Sequence, residues 1–319
     1  MHLGLSLGNI SFPRYEQDYE RTLADLAPEL VYASTDLMGT GGNIVQVQRA
    51  SNSDIEDFTG AELYDGTYAS FISGTTGKIT KIYNQGTARN LTPNRDLSQD
   101  VSANQPVVDI ANKRFIFDDA FVYGAEMAYP SHGYPHINSS IFFASRIFVP
   151  ATNATQGRIP LLSIYNAESG SISLDYGFVH GMHHRQITYN RQSGYDIYAS
   201  DDSGGIPSGF YPQTTTVRAE HSITPTVDVK KTVFGRNVSK SDRKVEVPPD
   251  SAVQNLNDAG HFSAGVSSDD KVRWGIGGFK TQAITKDIGG DFSLYASIAF
   301  SGQIGTSDVT DLTRILGDL

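Results

Sequence analysis

The sequence contains no cysteine, which excludes a disulfide framework, a thiol nucleophile and a thiolate metal site. No apolar run has the length of a membrane-spanning helix, so insertion into a membrane is not expected. The first nine residues lack the basic segment of a signal peptide. Basic residues are also scarce, with 25 Lys and Arg against 35 Asp and Glu, so binding of nucleic acid through phosphates is not expected.

Residues that favour turns and strands are abundant. The 319 residues include 31 Gly, 16 Tyr and 16 Phe, but only one Trp, which is the composition of an all-β protein. Polar and apolar residues alternate in segments 43–49 and 77–83, with Ile79 and Tyr83 expected to face inward. Residues 139–149 are almost wholly apolar, which predicts a central strand covered on both faces.

The C-terminal residues predict a long strand followed by a short helix. In residues 290–300, Phe292, Leu294, Ala296, Ile298 and Phe300 alternate with smaller or polar residues, so we expect them to share one face of a strand. Residues 307–316 predict a short terminal helix. The expected fold class is all-β, a two-sheet antiparallel jelly-roll sandwich with a short N-terminal arm and helix and a C-terminal helical turn. The polar segment 94–105 is expected to be exposed, and the charged segment 237–257, which proline interrupts, is expected to be a flexible excursion.

The expected domain organisation separates an N-terminal segment from the rest of the chain. Leu3, Leu5 and Leu7 alternate with small or polar residues, and residues 15–26 have a helical apolar stripe. One interpretation is a frayed tail, and the other is an assembly arm that adds a strand to a neighbouring molecule. We therefore expect an arm and helix at 1–30, docking on a partner, and one sandwich domain at 31–319.

Aromatic residues are the candidates for contact with a sugar or a host surface. Tyr195, Tyr198 and Tyr211 lie in residues 195–212, a segment expected to form a long loop. Trp274 is a further candidate, because aromatic rings stack on sugars, although packing in the core is the alternative interpretation.

Metal and cofactor sites are not expected. His180, His183 and His184 come close in sequence, but Gly181 and Met182 between them suggest a hairpin turn, and no carboxylate lies in the run. The acidic turns at 201–202 and 268–270 lack the spacing of a calcium-binding loop.

Several short motifs resemble the catalytic domain of the arabinofuranosidase B family and the concanavalin A-like (LamG-type) jelly rolls of bacteriophage virions. They lie at residues 45–51 (VQVQRAS), 54–58 (DIEDF), 77–85 (GKITKIYNQ), 90–93 (NLTP), 275–278 (GIGG) and 305–312 (GTSDVTDL). The resemblance implies the fold. In the hydrolase family an acidic residue that acts as the acid/base follows the glycine run, whereas Phe279 stands here and cannot transfer a proton.

The resemblance therefore implies a non-enzymatic virion structural protein, tail-associated or on the particle surface, with a sandwich that contacts glycans or the host. A capsid cement or decoration protein is one alternative, and a glycoside hydrolase acting on arabinose-containing or host polysaccharide is another. The expected partners are other virion proteins through the arm, host surface glycans and further copies of the chain in a homo-oligomer. The expected location is the virion, after synthesis in the bacterial cytoplasm.

Overall fold

The computed structural model describes twelve segments of the chain, and all statements below concern them. They are residues 20–91, 94–128, 141–149, 157–166, 177–184, 193–200, 218–223, 229–239, 242–246, 271–278, 292–302 and 304–319. The helices within them are α1 (Leu23–Leu26), α2 (Thr67–Phe71) and α3 (Thr306–Gly317). None of these helices combines the length and the apolar character that crossing a bilayer would require.

The described strands pair into two antiparallel sheets. In chain order they are β1 (Leu30–Ala33), β2 (Asn43–Arg49), β3 (Ile55–Thr59), β4 (Gly77–Ile82), β5 (Leu97–Ser98), β6 (Val107–Asp109), β7 (Arg114–Phe117), β8 (Val122–Gly124), β9 (Met127–Ala128), β10 (Ile141–Val149), β11 (Gly157–Asn166), β12 (Gly177–His184), β13 (Ser193–Ser200), β14 (Arg218–Ile223), β15 (Val229–Ser239), β16 (Asp242–Glu246), β17 (Lys271–Ile276) and β18 (Phe292–Ser301).

The smaller sheet has the order β16-β15-β10-β18-β7-β6, with β1 also paired to β18. The larger sheet has the order β14-β13-β12-β11-β17-β8-β5-β4-β2-β3, with β9 paired to β17. Strands that are distant in sequence become neighbours, as expected when a chain passes back and forth between two packed sheets. The all-β prediction of a two-sheet antiparallel jelly-roll sandwich is confirmed.

One core fills the space between the sheets. Phe143 and Leu294 of the smaller sheet belong to the same buried cluster as Ile79 and Trp274 of the larger one. Residues that alternate along each strand supply this core, because successive side chains of a strand point to opposite faces. Its position in the molecule leaves each sheet with a second, outer face.

Helix α3 covers the outer face of the smaller sheet. Leu312 and Leu316 are fully buried and belong to a second cluster with Ile298 and Phe300 of β18 and Leu23 of α1. The predicted terminal helix is confirmed and is slightly longer than expected. Strand β18, which is buried on both faces, is therefore the centre of a three-layered region: larger sheet, smaller sheet and helix.

Strand β18 does not keep one apolar face along its whole length, which corrects the sequence-based prediction. Its pairing with β10 shifts between Arg146, opposite Ala296, and Ile147, opposite Leu294, so Tyr295 is the extra residue of a bulge. A bulge changes the alternation of the side chains that follow it. Phe292 and Leu294 consequently lie in the core between the sheets. Ala296, Ile298 and Phe300 lie in the cluster under α3.

Buried serines form hydrogen bonds within the smaller sheet and from it to the larger sheet. The hydroxyls of Ser145 on β10 and Ser297 on β18 lie 3.0 Å apart, and both side chains are fully buried. The Ser297 hydroxyl also donates to the carbonyl of Leu161 on β11, 3.0 Å away in the larger sheet. Polar groups at such depth are tolerated because they satisfy one another.

Two segments differ from the sequence-based expectations. Residues 94–105 are not simply exposed, because Arg95, Leu97 and Gln99 are buried. The segment that begins at residue 237 is not an excursion at its start, because β15 and β16 form a hairpin there. Polar side chains misled the prediction in both places, since backbone pairing and a few buried anchors decide these structures.

The described part of the predicted N-terminal unit contacts the sandwich. Leu23 lies in the cluster under α3, and the backbone N–H of Glu29 donates to the carbonyl of Ala299 at 3.0 Å. Leu3, Leu5 and Leu7, the predicted assembly arm, lie outside the described residues.

Candidate functional site: the polar face of the larger sheet

A row of polar side chains crosses five strands of the larger sheet on its outer side. Direct cross-strand partners are Asp57 and Gln46, Gln46 and Lys81, Lys81 and Ser98, and Ser98 and Tyr123. Because these residues are opposite one another in the ladder, they share one face of the sheet. We call this row, together with the adjacent Thr80 and Tyr83, the polar face.

The apolar side chains that alternate with the polar ones on the same strands fix the orientation of the polar face. Val45 and Val47 on β2 and Ile79 and Ile82 on β4 are fully buried in the core between the sheets. A slip by one residue would move these side chains into water, so the register of the strands is strongly specified. The polar residues between them are thereby directed away from the core.

A bulge in β4 adds Thr80 and Tyr83 to this face. The pairing of β2 with β4 shifts between Gln46, opposite Lys81, and Val47, opposite Ile79, which leaves Thr80 as the extra residue. The Thr80 hydroxyl donates to the Gln46 side-chain carbonyl at 3.0 Å. Ile79 faces the core as predicted, but the prediction for Tyr83 is wrong, because the bulge changes the alternation after Ile79.

Asp57 is the centre of a hydrogen-bond network. Its Oδ1 accepts a bond of 2.9 Å from the Gln46 amide and one of 2.7 Å from the Tyr83 hydroxyl. Within the described residues both bonds end on the same oxygen, and Asp57 itself is exposed. A ligand hydroxyl therefore has access to Oδ2 of a carboxylate that two neighbours already hold in one orientation.

Both ends of the Gln46 amide are engaged, because the oxygen accepts from Thr80 and the nitrogen donates to Asp57. This pattern decides which way the amide points. Lys81 lies over the ring of Tyr83, with its Nζ 5.1 Å from the ring centre, a cation–π distance. The site thus presents a carboxylate, an amide, a hydroxyl, an ammonium group and a phenol within a small area.

The Tyr83 hydroxyl keeps its proton at any physiological pH. Burial raises the pKa of Tyr83, and its bond to the negative Asp57 and the nearby charge of Asp96 raise it further. Burial also raises the pKa of Asp96. The phenol is therefore a fixed donor to Asp57, and the network has one orientation of its hydrogen bonds.

A second group of polar side chains lies at the other end of the row. The Tyr123 hydroxyl donates to Asp100 at 2.7 Å, and the Arg273 guanidinium lies 5.4 Å from the Tyr123 ring centre. Arg273 also pairs with Glu126. Tyr123 is only 7% exposed, so this end is more closed than the end at Asp57.

The structure places the aromatic residues singled out in the sequence as follows. Trp274 is 2% exposed and belongs to the core between the sheets, which agrees with the core-packing interpretation and leaves its ring in contact with protein atoms. Tyr195 and Tyr198 lie in strand β13, so the loop prediction is wrong for them. Tyr211 lies outside the described residues.

The other sequence candidates lie in a strand or outside the described residues. The histidines at 180, 183 and 184 lie in strand β12, not in a hairpin turn. The acidic turns at 201–202 and 268–270 lie outside the described residues, as does Phe279. Within the residues whose positions are described, no three His, Asp or Glu side chains gather as metal ligands would.

The glycine run before Phe279 has a packing explanation. Gly277 has φ +81°, and a Cβ placed on it would lie 2.4 Å from the carbonyl oxygen of Ala120. Only glycine combines this backbone conformation with such a close approach. The glycine at position 277 of the motif is therefore explained by the backbone conformation at the end of β17.

No protein-family model matches the sequence, and a search of curated proteins finds no match. Among solved structures, the chain is similar to an arabinofuranosidase complexed with arabinofuranosyl-α-1,2-xylobiose, with a TM-score of 0.51, 12% identity and 91% of this chain covered. It is also similar to an α-L-arabinofuranosidase soaked with a cyclic sulfate inhibitor (TM-score 0.49, 11% identity, 91% covered). A botulinum neurotoxin serotype C1 binding domain has a TM-score of 0.43 at 10% identity, with 86% of this chain and 52% of that chain covered.

The chain spans 62% of the length of either arabinofuranosidase. At this identity, the likeness to the first arabinofuranosidase shows a shared fold. The β-sandwich implied by the sequence motifs is confirmed in this way, whereas the link to bacteriophage virions stays a prediction.

Sequence reasoning missed the polar face as a site. The alternation of Gln46 and Gln48 with Val45 and Val47 did indicate an outward polar side. The partner strand of each residue, and the bulge that adds Thr80 and Tyr83, follow only from the pairing of the strands.

Proposed function

We propose that the protein is a non-enzymatic binding protein whose polar face contacts glycans. The observation that carries the proposal is the Asp57–Gln46–Tyr83 network, in which planar polar groups are held beside the half-buried ring of Tyr83 before any ligand arrives. Sugars are recognised by such groups, because hydroxyls bond to carboxylates and amides while C–H groups pack on aromatic rings. Preorganised side chains lose little entropy on binding.

We further propose that this binding serves attachment on a bacteriophage particle, as a tail-associated or surface protein. This part is supported by the sequence resemblance, and it includes a homo-oligomer whose N-terminal arm contacts other virion proteins. Labelling of particles with an antibody and electron microscopy would test it: label on the tail or the surface supports it. Particles without label would contradict it, and uniform label over the capsid would favour the cement or decoration alternative.

A glycan array with the purified chain tests the binding function. We expect binding of at least one glycan class, and an affinity weakened about tenfold in Asp57→Ala, equivalent to about 1.4 kcal/mol. The matched control is Glu56→Ala, which removes the neighbouring exposed carboxylate that faces Val47 in the ladder. Equal binding by wild type and Asp57→Ala, or no binding by either, would contradict the proposal.

Turnover of aryl arabinosides or of a bound polysaccharide is measured in the same samples. We expect none, because the position after the glycine run is Phe279. Release of sugar that disappears when a carboxylate is replaced would contradict the non-enzymatic part and support the glycoside hydrolase alternative.

A further inference from the structure

A groove of about 490 Å³ lies beside the smaller sheet, at the end of β18. The segment after α1, the 3-10 turn at Thr87–Asn90, the end of β18 and the start of α3 enclose it. Its apolar walls include Leu26, Leu91, Phe300 and Ile304. Its volume is in the range of sites for small molecules, about 300 to 1,000 Å³.

Two carboxyl groups line the groove, Glu29 and Asp308. The carboxylate of Asp308 is already engaged, because it accepts 2.6 Å and 3.0 Å bonds from the Arg21 guanidinium and the Gly305 backbone N–H. Both oxygens are used, so Asp308 holds the first turn of α3 and pairs the charge of Arg21.

Glu29 is differently placed. Its backbone N–H donates to the Ala299 carbonyl at 3.0 Å, and its carbonyl accepts from the Ala88 N–H at 3.1 Å. These two bonds fix the position of the backbone from which the side chain extends. Burial raises the pKa of Glu29, and a hydrogen bond from Ser301 and the charge of Arg95 offset this only in part. A half-buried carboxyl of this kind is stabilised in its charged form by any cation that enters the groove.

No Lys or Arg side chain lines the groove in the described part of the chain, and Arg95 is only 2% exposed. The whole chain has a net charge of −10, which attracts cations. The aromatic wall, Phe300, is 5% exposed and offers little ring surface for stacking on a sugar. Leu91, in contrast, is 46% exposed at the rim.

We propose that this groove binds an organic ammonium ion with an apolar stem, the chemistry of a lysine side chain. The ammonium group pairs with the Glu29 carboxylate, and the stem packs along Leu91 and Ile304. The site is separate from the polar face, so the proposal does not depend on glycan binding.

Titration of the full chain with n-butylamine tests the proposal, with n-butanol as the neutral probe of similar shape. We expect saturable binding of the amine by NMR or calorimetry, at least tenfold weaker in Glu29→Gln and absent for butanol. Leu91→Ala should weaken binding about threefold through lost apolar contact. Glu56→Gln, the same change of charge on β3, should leave the affinity unchanged.

The pH dependence in the wild type gives an independent readout. The groups that face Glu29 are Ser301 on β18, Arg95 before β5, and Asp308 with its partner Arg21. As the pH falls, Glu29 takes up a proton and the affinity for butylamine should fall, while Glu29→Gln should show no such dependence. Equal affinity for butanol, no saturable binding of butylamine, or an unchanged affinity in a folded Glu29→Gln variant would overturn the proposal.

Discussion

Strands β2 and β18 each have neighbouring strands on both sides, but their burial differs: β18 is buried on both faces, whereas β2 has one face exposed to water. Nine of the ten residues of β18 are buried, against three of the seven residues of β2. The difference arises because α3 covers the outer face of the smaller sheet, whereas the polar face of the larger sheet carries hydrogen-bonding side chains. Substitutions in β18 should therefore change stability, and substitutions on the polar face should change binding.

The strongest test of this contrast is Leu294→Ala. Leu294 is fully buried between the sheets, and loss of its side chain leaves a cavity. We expect the free energy of unfolding to fall by about 2 to 5 kcal/mol, measured by urea denaturation. The matched control is Lys78→Ala on β4, for which a change within about 0.5 kcal/mol is expected. Similar losses of unfolding free energy in the two variants would contradict the difference between the buried strand β18 and the polar side chains of the larger sheet.

A smaller loss is expected for Ser297→Ala, which removes the hydrogen bond between the sheets. The hydroxyl of Ser145 and the carbonyl of Leu161 each lose a buried partner, so the free energy of unfolding should fall by about 1 to 3 kcal/mol. The double variant with Ser145→Ala should lose less than the sum of the two single changes. Strict additivity in that cycle would show that the two hydroxyls are not coupled.

Asp308→Ala tests the helix that covers β18. Asp308 accepts from the Gly305 N–H, and loss of this cap should destabilise the protein by about 1 kcal/mol at neutral pH. The hydrogen bond from Arg21 lowers the pKa of Asp308, so its stabilisation is present above the unfolded-state pKa and is lost as the pH falls through the folded-state pKa. Thermal melting curves of variant and wild type should converge in acid, whereas a constant difference at every pH would contradict this mechanism.

The smallest effect on stability is expected on the polar face. Tyr83→Phe removes the hydroxyl that donates to the exposed Asp57, and we expect a change within about 0.5 kcal/mol in urea denaturation. The same variant should weaken binding of a glycan identified on the array. A large loss of stability would show that the network supports the fold and not a ligand.

The sequence predicted the fold well where alternation was uninterrupted. The alternation in residues 43–49 indicated a strand, and β2 has these bounds. It failed at the two bulges, at Tyr295 in β18 and Thr80 in β4, because one extra residue changes which face every later side chain occupies. The loop predicted around Tyr195 failed because a polar segment can still be a strand when its backbone is paired on both sides.

The candidate site was less predictable than the fold. The sequence suggested Trp274 as a ligand contact because of its aromatic ring, but this only tryptophan is buried between the sheets. Asp57, Gln46 and Lys81 have ordinary sequence surroundings. They become a site because β3, β2 and β4 place them opposite one another.

The order of amino acids alone determined that this chain forms strands, which residues are apolar, and that neither disulfides nor thiolate chemistry can occur. Local propensity and alternation carry that information, because they depend on neighbours within a few residues. The tertiary structure decided which strands pair, where a bulge reverses the faces, and which sheet surface a helix covers. Those choices depend on contacts between residues more than a hundred positions apart, such as Ser145 with Ser297, and no local pattern encodes them.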